Sequence, residues 1–110
     1  MKIAIPLAGG RLCLHFGHCE QFALVDVEDG GEMQTTLATP PPHEPGVLPQ
    51  WLHQQGVEVI IAGGMGHRAQ QLFDQNGIKV LVGATAETPE TLVAAYLDGS
   101  LQSGVNACDH

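Results

Sequence analysis

The sequence predicts a single α/β domain, residues 1–110, built on a mixed β-sheet with the element order βββαβαβα. One observation is the turn Asp29-Gly30-Gly31 between two strand-like segments, because Asp and Gly readily adopt the positive φ angles of tight hairpins. Another is the near-continuous apolar run 57–62, which is typical of a strand buried on both faces. Strands and helices alternate after this run, which predicts a parallel βαβ unit with right-handed crossovers. The hydrophobic fraction of 44% suffices for one core.

The first half is predicted to form three strands joined as a meander. Segment 2–7 is short and apolar and ends at Pro6 and a pair of glycines, which favours a buried strand. Segments 21–28 and 32–38 flank the hairpin turn. Four prolines then fall within residues 40–45, and because proline fixes φ and lacks an N–H donor, they predict a stiff connector.

Three helices follow, separated by the apolar run and by a further predicted buried strand at 78–82. Their apolar faces are Val47, Leu48, Trp51 and Leu52; Ala69, Leu72 and Phe73; and Leu92, Val93, Tyr96 and Leu97. Gly56 should end the first helix and the pair Asn76-Gly77 the second. Thr88 is a favourable cap for the third helix, which Gly99 should stop.

The charge balance excludes one class of partner. Four Lys/Arg stand against twelve Asp/Glu, giving a formal net charge of −8. Because nucleic-acid affinity depends mainly on neutralising phosphates, this balance argues strongly against DNA or RNA binding. Two of the four basic residues, Arg11 and Arg68, nevertheless lie in glycine-rich turns, which favours a local anion site there. The alternative is that both are solvated loop residues.

The cysteine count and the absence of long apolar runs predict the cellular compartment of the protein. Three cysteines are an odd number, which argues against a closed disulfide framework and favours a reducing compartment. No apolar run approaches the roughly 18 residues that suggest a membrane span. The first residues are too short and too strand-like for a signal peptide. We therefore expect a cytoplasmic protein with no membrane partner.

Two thiols and two imidazoles lie within residues 13–19, namely Cys13, His15, His18 and Cys19. The spacing differs from a structural zinc site, which normally contains two C-x2-C pairs. Soft thiolate and imidazole ligands select zinc, copper(I), iron–sulfur or mixed-metal sulfide species. Each residue alone could simply be a packed side chain, but the cluster favours a ligand role. A nucleophile that uses Cys13 or Cys19 with a histidine remains an alternative.

Other histidines and the third cysteine lie elsewhere in the chain. His43 lies in the proline-rich connector, which either holds it at the rim of a pocket or only links two elements. Cys108 and His110 end the chain and offer another thiol and imidazole. His53 lies beside two glutamines on a predicted helix, so we expect it to be exposed and without a ligand role.

A second glycine-rich turn, Gly63-Gly64-Met65-Gly66, lies where a predicted strand passes into a helix that begins with His67-Arg68. Unpaired N–H groups and the helix dipole favour anions at such a position. The turn lacks a dinucleotide fingerprint and the Lys-Ser/Thr of a phosphate loop. The alternative is that the glycines serve only a tight turn.

Hydrolase classes are poorly supported. The chain contains no G-x-S-x-G elbow, so a serine nucleophile is not expected. The first strand lacks the acidic residues that a two-metal nuclease of the ribonuclease H type needs. A small Cys/His-dependent enzyme and a metal-independent interaction module remain the alternatives to a binding protein.

Segments from both halves of the chain follow one family pattern. They are Lys2-Ile3-Ala4-Ile5-Pro6, His15-Phe16-Gly17, the strand Phe22-x-Leu24-Val25-Asp26-Val27, residues 59–66, and Gly77-Ile78-Lys79-Val80. Together they resemble the dinitrogenase iron–molybdenum cofactor biosynthesis family over nearly the whole chain. Within that family, three segments are most similar to the orange-protein branch, which is known for holding a molybdenum–copper sulfide cluster without ordinary covalent attachment. They are His43-Glu44-Pro45-Gly46, Leu48-Pro49-x-Trp51-Leu52 and Gly64-Met65-Gly66-His67-Arg68-Ala69.

The resemblance implies a ribonuclease-H-like fold with helices on both faces of the sheet. It also implies a non-catalytic carrier of a metal–sulfur cofactor, either a molybdenum–copper sulfide cluster or an iron–molybdenum or iron–sulfur precursor. The implied partners are the cluster and proteins of cluster assembly, including ATPases. Noncovalent holding needs no thiolate, so direct ligation by the cysteines stays open.

Two sets of residues are predicted to form the site. The cofactor-binding set is Arg11, Gly63, Gly64, Met65, Gly66, His67 and Arg68. The metal-ligating set is Cys13, His15, His18, Cys19, His43, Cys108 and His110. Because ligands of open α/β sheets bind at the carboxyl ends of strands, we expect the two glycine-rich bends to meet there and frame one pocket.

Overall fold

A mixed β-sheet with helices on both faces forms the core of the protein. The computed structural model describes residues 1–13, 19–41 and 46–101. Within these residues the strands are β1 (Lys2–Ala8), β2 (Arg11–Leu12), β3 (Gln21–Val27), β4 (Met33–Ala38), β5 (Val59–Ile61) and β6 (Lys79–Leu81), and the helices are α1 (Val47–Gln54), α2 (His67–Gln75) and α3 (Pro89–Asp98). This order is the predicted βββαβαβα with one short strand, β2, added.

The sheet combines a meander with a parallel unit. Its strands lie in the order β4-β3-β1-β5-β6, and β2 pairs with the end of β1. β1 is antiparallel to β3, and β3 to β4, which is the predicted meander. β1 is parallel to β5, and β5 to β6. The carboxyl end of the sheet, where Ala8, Ile61 and Leu81 end their strands, therefore lies opposite the amino end, where Lys2 and Lys79 begin theirs.

Each face of the sheet carries its own apolar cluster. On one face, Ile60 packs in a buried cluster with Leu52 of α1 and Phe73 of α2. On the other face, the next residue, Ile61, packs in a cluster with Val93 of α3. All five side chains are fully buried, and each such burial stabilises the fold by about 1.5–3 kcal/mol. The predicted placement of helices on both faces is confirmed.

The helix ends follow the sequence signals. The Oγ1 atom of Thr88 accepts a hydrogen bond from the Thr91 N–H at 3.4 Å, and Pro89 begins α3. Gly77 and Gly99 follow α2 and α3 with φ of 73° and 81°, a left-handed conformation that suits glycine. In the described ranges, no helix is long and apolar enough to cross a membrane.

Three local features differ from the sequence prediction. In the β3–β4 hairpin, only Gly31 has a positive φ, 86°, and its N–H donates to the carbonyl of Glu28 at 2.9 Å. The predicted buried strand at 78–82 is wrong in part, because β6 lies at the edge of the sheet: Lys79 is exposed and Val80 is half-buried. Strand β2 is too short, at two residues, to leave a periodic signal.

Candidate functional site

Three loops leave the carboxyl end of the sheet, and backbone hydrogen bonds join them. The Leu12 N–H, in β2, donates to the Glu87 carbonyl in the β6–α3 loop at 3.0 Å. The Gly83 N–H, in the same loop, donates to the Gly63 carbonyl in the β5–α2 turn at 2.9 Å. The β6–α3 loop thus connects the two glycine-rich bends. Because β1 and β5 are parallel neighbours, the bends lie at the same end of the sheet, as the sequence predicts.

The first bend is a tight β1–β2 turn. Gly9 and Gly10 have φ of 63° and 82°, which other residues rarely adopt. The Gly9 N–H donates to the Glu20 Oε1 atom at 3.0 Å, and the Glu20 N–H donates to the Leu7 carbonyl at 2.8 Å. The Cys13 N–H donates to a β1 carbonyl at 2.8 Å. Cys13 and Glu20 are therefore both hydrogen-bonded to the last residues of β1.

Two predicted ligands, Cys13 and Cys19, lie close together at this bend. Cys13 is buried, with 8% of its surface exposed, and Cys19 is half-buried against the apolar cluster that contains Met65. Burial, followed by the neighbouring Cys13, raises the pKa of the Cys19 thiol to about 11, although a backbone hydrogen bond opposes the shift. Cys19 is therefore protonated at neutral pH, and a metal that binds it must displace the proton.

The raised pKa also bears on the enzyme alternative. Reactive cysteines in enzymes are thiolates held by a lowered pKa beside positive charge or at a helix N-terminus. The pKa of Cys19 moves in the opposite direction, to about 11. The structure thus gives no support to Cys19 as a nucleophile.

The second bend presents an open helix terminus. Gly63, Gly64 and Met65 are buried, and Gly66 is exposed with an extended backbone immediately before α2. Gly66 makes no side-chain cap for the helix, and a Cβ atom built on it would meet no atom within 4 Å. Its φ of −62° suits any residue, so neither strain nor packing requires glycine here. Because Gly66 has no side chain, a ligand can approach the first N–H groups of α2 directly.

The four basic side chains divide equally between the two ends of the sheet. Lys2 and Lys79 begin β1 and β6 at the amino end. Arg11 follows the first bend and Arg68 follows the second, and both side chains are exposed. In an acidic protein, the carboxyl end of the sheet therefore has both arginines and the positive dipole terminus of α2.

Five predicted metal ligands lie outside the described residues: His15, His18, His43, Cys108 and His110. Within the described parts, no group of three His, Cys, Asp or Glu side chains is placed to hold a metal ion. Of the predicted metal-ligating set, the structure brings together Cys13 and Cys19. His53, predicted to be exposed on α1, is exposed.

A groove of about 580 Å³ lies between α2 and the edge strand β6. It shares His67 with the predicted site but extends away from the bends toward Asp74 and Lys79. It is therefore a separate hollow and not the predicted pocket. His67 itself is exposed on the first turn of α2.

Two acidic residues contribute to the site in ways that the sequence does not predict. Glu20 holds Gly9 through its side chain, and Glu87 holds Leu12 through its backbone. The one sequence signal for the role of Glu20 is that its carboxylate directly follows Cys19 near glycine-rich residues, and this signal is weak. A backbone contact such as that of Glu87 leaves no trace in residue type.

Comparisons with known proteins agree with this architecture. The family model described as dinitrogenase iron–molybdenum cofactor matches residues 1–99. A protein of Methanocaldococcus jannaschii, MJ0580, is 35% identical over 107 residues, which cover 93% of this chain and 90% of that protein. The crystal structure of PH0822 is similar with a TM-score of 0.83 and 27% identity, covering 94% of this chain and 96% of the other.

The apo form of the orange protein from Desulfovibrio gigas is also similar. Its TM-score is 0.77 at 25% identity, and the match covers 96% of this chain and 93% of the other. The ribonuclease-H-like α/β fold predicted from the sequence is confirmed. The family model and the relative in Methanocaldococcus jannaschii both match nearly the whole chain. The chain therefore belongs to the dinitrogenase iron–molybdenum cofactor family.

Proposed function

We propose that this protein binds and carries an anionic metal–sulfur cofactor at the carboxyl end of its sheet, without catalysing a reaction. The observation that carries the proposal is that two thiols, two exposed arginines and a helix N-terminus without a side-chain cap lie at one end of the sheet, beside three hydrogen-bonded loops. The family to which the chain belongs supports an involvement with metal clusters of this kind.

The anionic part of the cofactor is held by the second bend. A sulfide-rich cluster carries negative charge on its outer atoms, and no side chain caps the first N–H groups of α2 beside Gly66. A negative group at a helix N-terminus gains about 0.3–1 kcal/mol at an exposed site. Arg68 and Arg11 add charge-assisted hydrogen bonds from the two sides of the site.

The metal part is held near the first bend. Cys13 directly follows β2 and Cys19 lies two residues before β3, and the sequence between them supplies His15 and His18. Sulfur and imidazole ligands of this type select soft metals such as copper(I). Because the pKa of Cys19 is raised to about 11 by its burial, binding through its sulfur releases a proton and weakens as the pH falls.

The cargo that we favour is a molybdenum–copper sulfide cluster. The sequence resemblance to the orange-protein branch and the structural similarity to an orange protein support it. An iron–molybdenum or iron–sulfur precursor is the alternative, which the description of the family model supports. We further propose a cytoplasmic carrier that meets cluster-assembly or ATPase proteins and does not bind nucleic acid or membranes.

Anaerobic reconstitution tests the proposal. The protein is incubated with tetrathiomolybdate and copper(I), desalted, and examined by metal analysis and visible absorption. We expect retained molybdenum and copper with charge-transfer bands. Absence of retained metal in the correctly folded protein would refute the proposal.

Two variants that each remove one positive charge locate the site. Arg68→Gln changes the second bend, whereas Lys79→Gln changes the amino end of β6. We expect at least a threefold loss of retained cluster for Arg68→Gln and no change for Lys79→Gln. Equal losses would show that overall charge, and not the second bend, attracts the cluster.

A further inference from the structure

The two edges of the sheet differ in how they are protected from pairing with another strand. β6, at one edge, has three residues and begins with the exposed Lys79, and a short strand with a lysine is a common protection of a sheet edge. β4, at the other edge, has six residues, Met33–Ala38, none of which is charged or a proline. Its four central residues are exposed. A long, uncharged edge of this kind is a template for pairing with a further strand.

The backbone groups that β4 directs outward follow from its pairing with β3. At the β3–β4 hairpin, the Glu28 N–H donates to the Glu32 carbonyl at 2.9 Å, so Glu32 directs its backbone groups toward β3. In an antiparallel pair this direction alternates along the strand, and every second residue of β4 from there on also faces β3. The N–H and C=O groups of Met33, Thr35 and Leu37 therefore point away from the sheet. Within the described ranges, these groups have no backbone partner.

The side chains of the same three residues lie on the α3 face of the sheet. Met33 packs against the apolar cluster on that face, and successive side chains of a strand alternate between faces, so Thr35 and Leu37 share the face of Met33. Leu37 has 58% of its surface exposed. The Thr35 hydroxyl donates to the Glu90 carboxylate of α3 at 3.0 Å. β4 thus has one apolar side chain on each side of a central threonine, an order that is nearly symmetric.

We propose that β4 is the contact surface for a second copy of this chain, whose own β4 pairs with it antiparallel about a two-fold axis through Thr35. The axis is perpendicular to the sheet, because only this direction makes the two neighbouring strands antiparallel. Thr35 of each copy then lies opposite Thr35 of the other, and Met33 of each lies opposite Leu37 of the other. These are the residues with outward backbone groups, and each such pair exchanges two hydrogen bonds. The exposed Leu37 side chain is covered by Met33 of the second copy.

Charge and symmetry both favour a copy of the same strand. Chains with a formal net charge of −8 repel one another, so an uncharged strand is the part of the surface where two of them can approach. An unrelated strand would also form the hydrogen bonds, but the nearly symmetric order of β4 matches its own copy. Because one strand edge buries less than the about 1,200 Å² of a standard interface, we expect a weak dimer. The axis directs the carboxyl ends of the two sheets in opposite directions, so the pairing does not depend on the proposed cofactor.

Sedimentation equilibrium tests the pairing with the full chain, kept reduced so that no disulfide joins the copies. Over a hundredfold range of protein concentration, we expect a monomer–dimer equilibrium. Leu37→Asp should raise the dissociation constant at least tenfold, because it replaces an apolar contact by a charge. Leu97→Asp adds the same charge at an exposed leucine of α3 and should change the constant less than threefold. A monomer at every concentration, growth beyond the dimer, or equal effects of the two variants would overturn the proposal.

Cross-linking tests the two-fold register. In the proposed dimer the two Thr35 Cα atoms lie about 5.5 Å apart, within the range of a disulfide. From the spacing of residues along and between strands, the two Gln34 Cα atoms lie about 8 Å apart, beyond that range. Under mild oxidation, mass spectrometry should show a disulfide between the two introduced cysteines at least tenfold faster for Thr35→Cys than for the matched control Gln34→Cys. Equal rates, or faster cross-linking at position 34, would overturn the arrangement.

Glu90 provides a measurement of opposite sign, which also covers the case in which Leu37→Asp does not fold. The two Thr35 hydroxyls meet at the axis and each is bonded to a Glu90 carboxylate, so two negative charges approach each other in the dimer. Glu90→Gln should therefore lower the dissociation constant at least twofold at low salt, and less at high salt. Glu58→Gln removes an exposed charge at the amino end of the sheet and should have no effect. An unchanged constant for Glu90→Gln, or the same decrease for Glu58→Gln, would contradict the pairing.

Discussion

The two ends of the sheet use their charged groups differently. At the amino end, the N-terminal ammonium group donates to the Val27 carbonyl at 3.1 Å, and the Lys2 Nζ atom donates to the Gln55 carbonyl at 2.9 Å. Lys2 also lies 3.9 Å from an Asp26 carboxylate oxygen. At the carboxyl end, Arg11 in β2 and Arg68 in the first turn of α2 are exposed. Charges at the amino end serve the fold, whereas those at the carboxyl end are accessible to a ligand.

The backbone shows the same contrast. Turns at the amino end, such as the one at Gly31, hydrogen-bond to their own flanking residues. Loops at the carboxyl end bond to one another, from Leu12 to Glu87 and from Gly83 to Gly63. A set of loops that support one another can hold a ligand in a fixed geometry, because moving one loop disturbs the others.

The largest expected effect comes from adding a negative charge at each end. Gly66→Asp and Gly30→Asp change the net charge equally, and both glycines lack a positive φ and have open space around a Cβ atom. We expect Gly66→Asp to lower cluster retention at least tenfold, because the carboxylate occupies the anion position at the start of α2. Gly30→Asp, in the hairpin at the amino end, should leave retention unchanged.

The free energy of unfolding provides a control for the two variants Gly66→Asp and Gly30→Asp. Asp is a better helix N-cap than Gly by a few tenths of a kcal/mol, so Gly66→Asp should not lower the free energy of unfolding. Thermal denaturation checks this expectation. A tenfold loss of binding in an unfolded or destabilised variant would carry no weight, whereas the same loss in a stable one supports the site.

The next effect concerns Cys19 and pH. Its pKa is raised to about 11, mainly by burial, so the neutral thiol is favoured in the folded state. The stabilisation is present below pH 9 and is lost as the pH rises toward 11. Because the residue is only half-buried, solvent screening limits the effect to about 1–2 kcal/mol. Urea denaturation at several pH values should show this decrease, and the Cys19→Ser variant should lack it.

The rate of alkylation gives a second measurement of the raised pKa of Cys19. In the metal-free protein, the rate at Cys19 should be slow at pH 7 and should rise about tenfold per pH unit up to the pKa of about 11. Fast alkylation at neutral pH would contradict the structure here and would favour the Cys/His enzyme alternative.

The smallest effect concerns the bond that fixes the first bend. Glu20→Ala removes the acceptor of the Gly9 N–H and should cost about 1 kcal/mol in the free energy of unfolding. Glu20→Gln keeps an oxygen acceptor and should lose less. Cluster retention should decrease with Ala more than with Gln, as measured after reconstitution. Equal retention by both variants would show that the bend does not need this bond to hold the cofactor.

Most of the fold could be predicted because its signals are local. The caps at Thr88 and Gly99 and the apolar run that contains β5 each depend on residue types within a few positions. The half-burial of β6 could not be predicted, since it follows from the strand order and not from its own residues. The same holds for β2, whose pairing with β1 is fixed by the turn at Gly9.

The candidate site also has features that the sequence predicts and features that it does not. The sequence predicts that the two glycine-rich bends meet, because parallel strands end together, and the hydrogen bonds of Gly63 and Leu12 with the β6–α3 loop agree with this prediction. The part played by Glu87 depends on a backbone contact between distant segments, which sequence does not show. The positions of His15 and Cys108 lie outside the described residues, so their ligand roles stay predictions.

The most direct test of the central claim maps the cluster onto the two ends of the sheet. Isotope-labelled protein is titrated anaerobically with tetrathiomolybdate and copper(I) while the backbone amide resonances are followed. The largest shifts should fall on Gly9, Leu12 and Gly66, at the carboxyl end, and Gly31 and Glu58 should stay unchanged. Shifts at Gly31 and Glu58, with the two bends unaffected, would contradict the account.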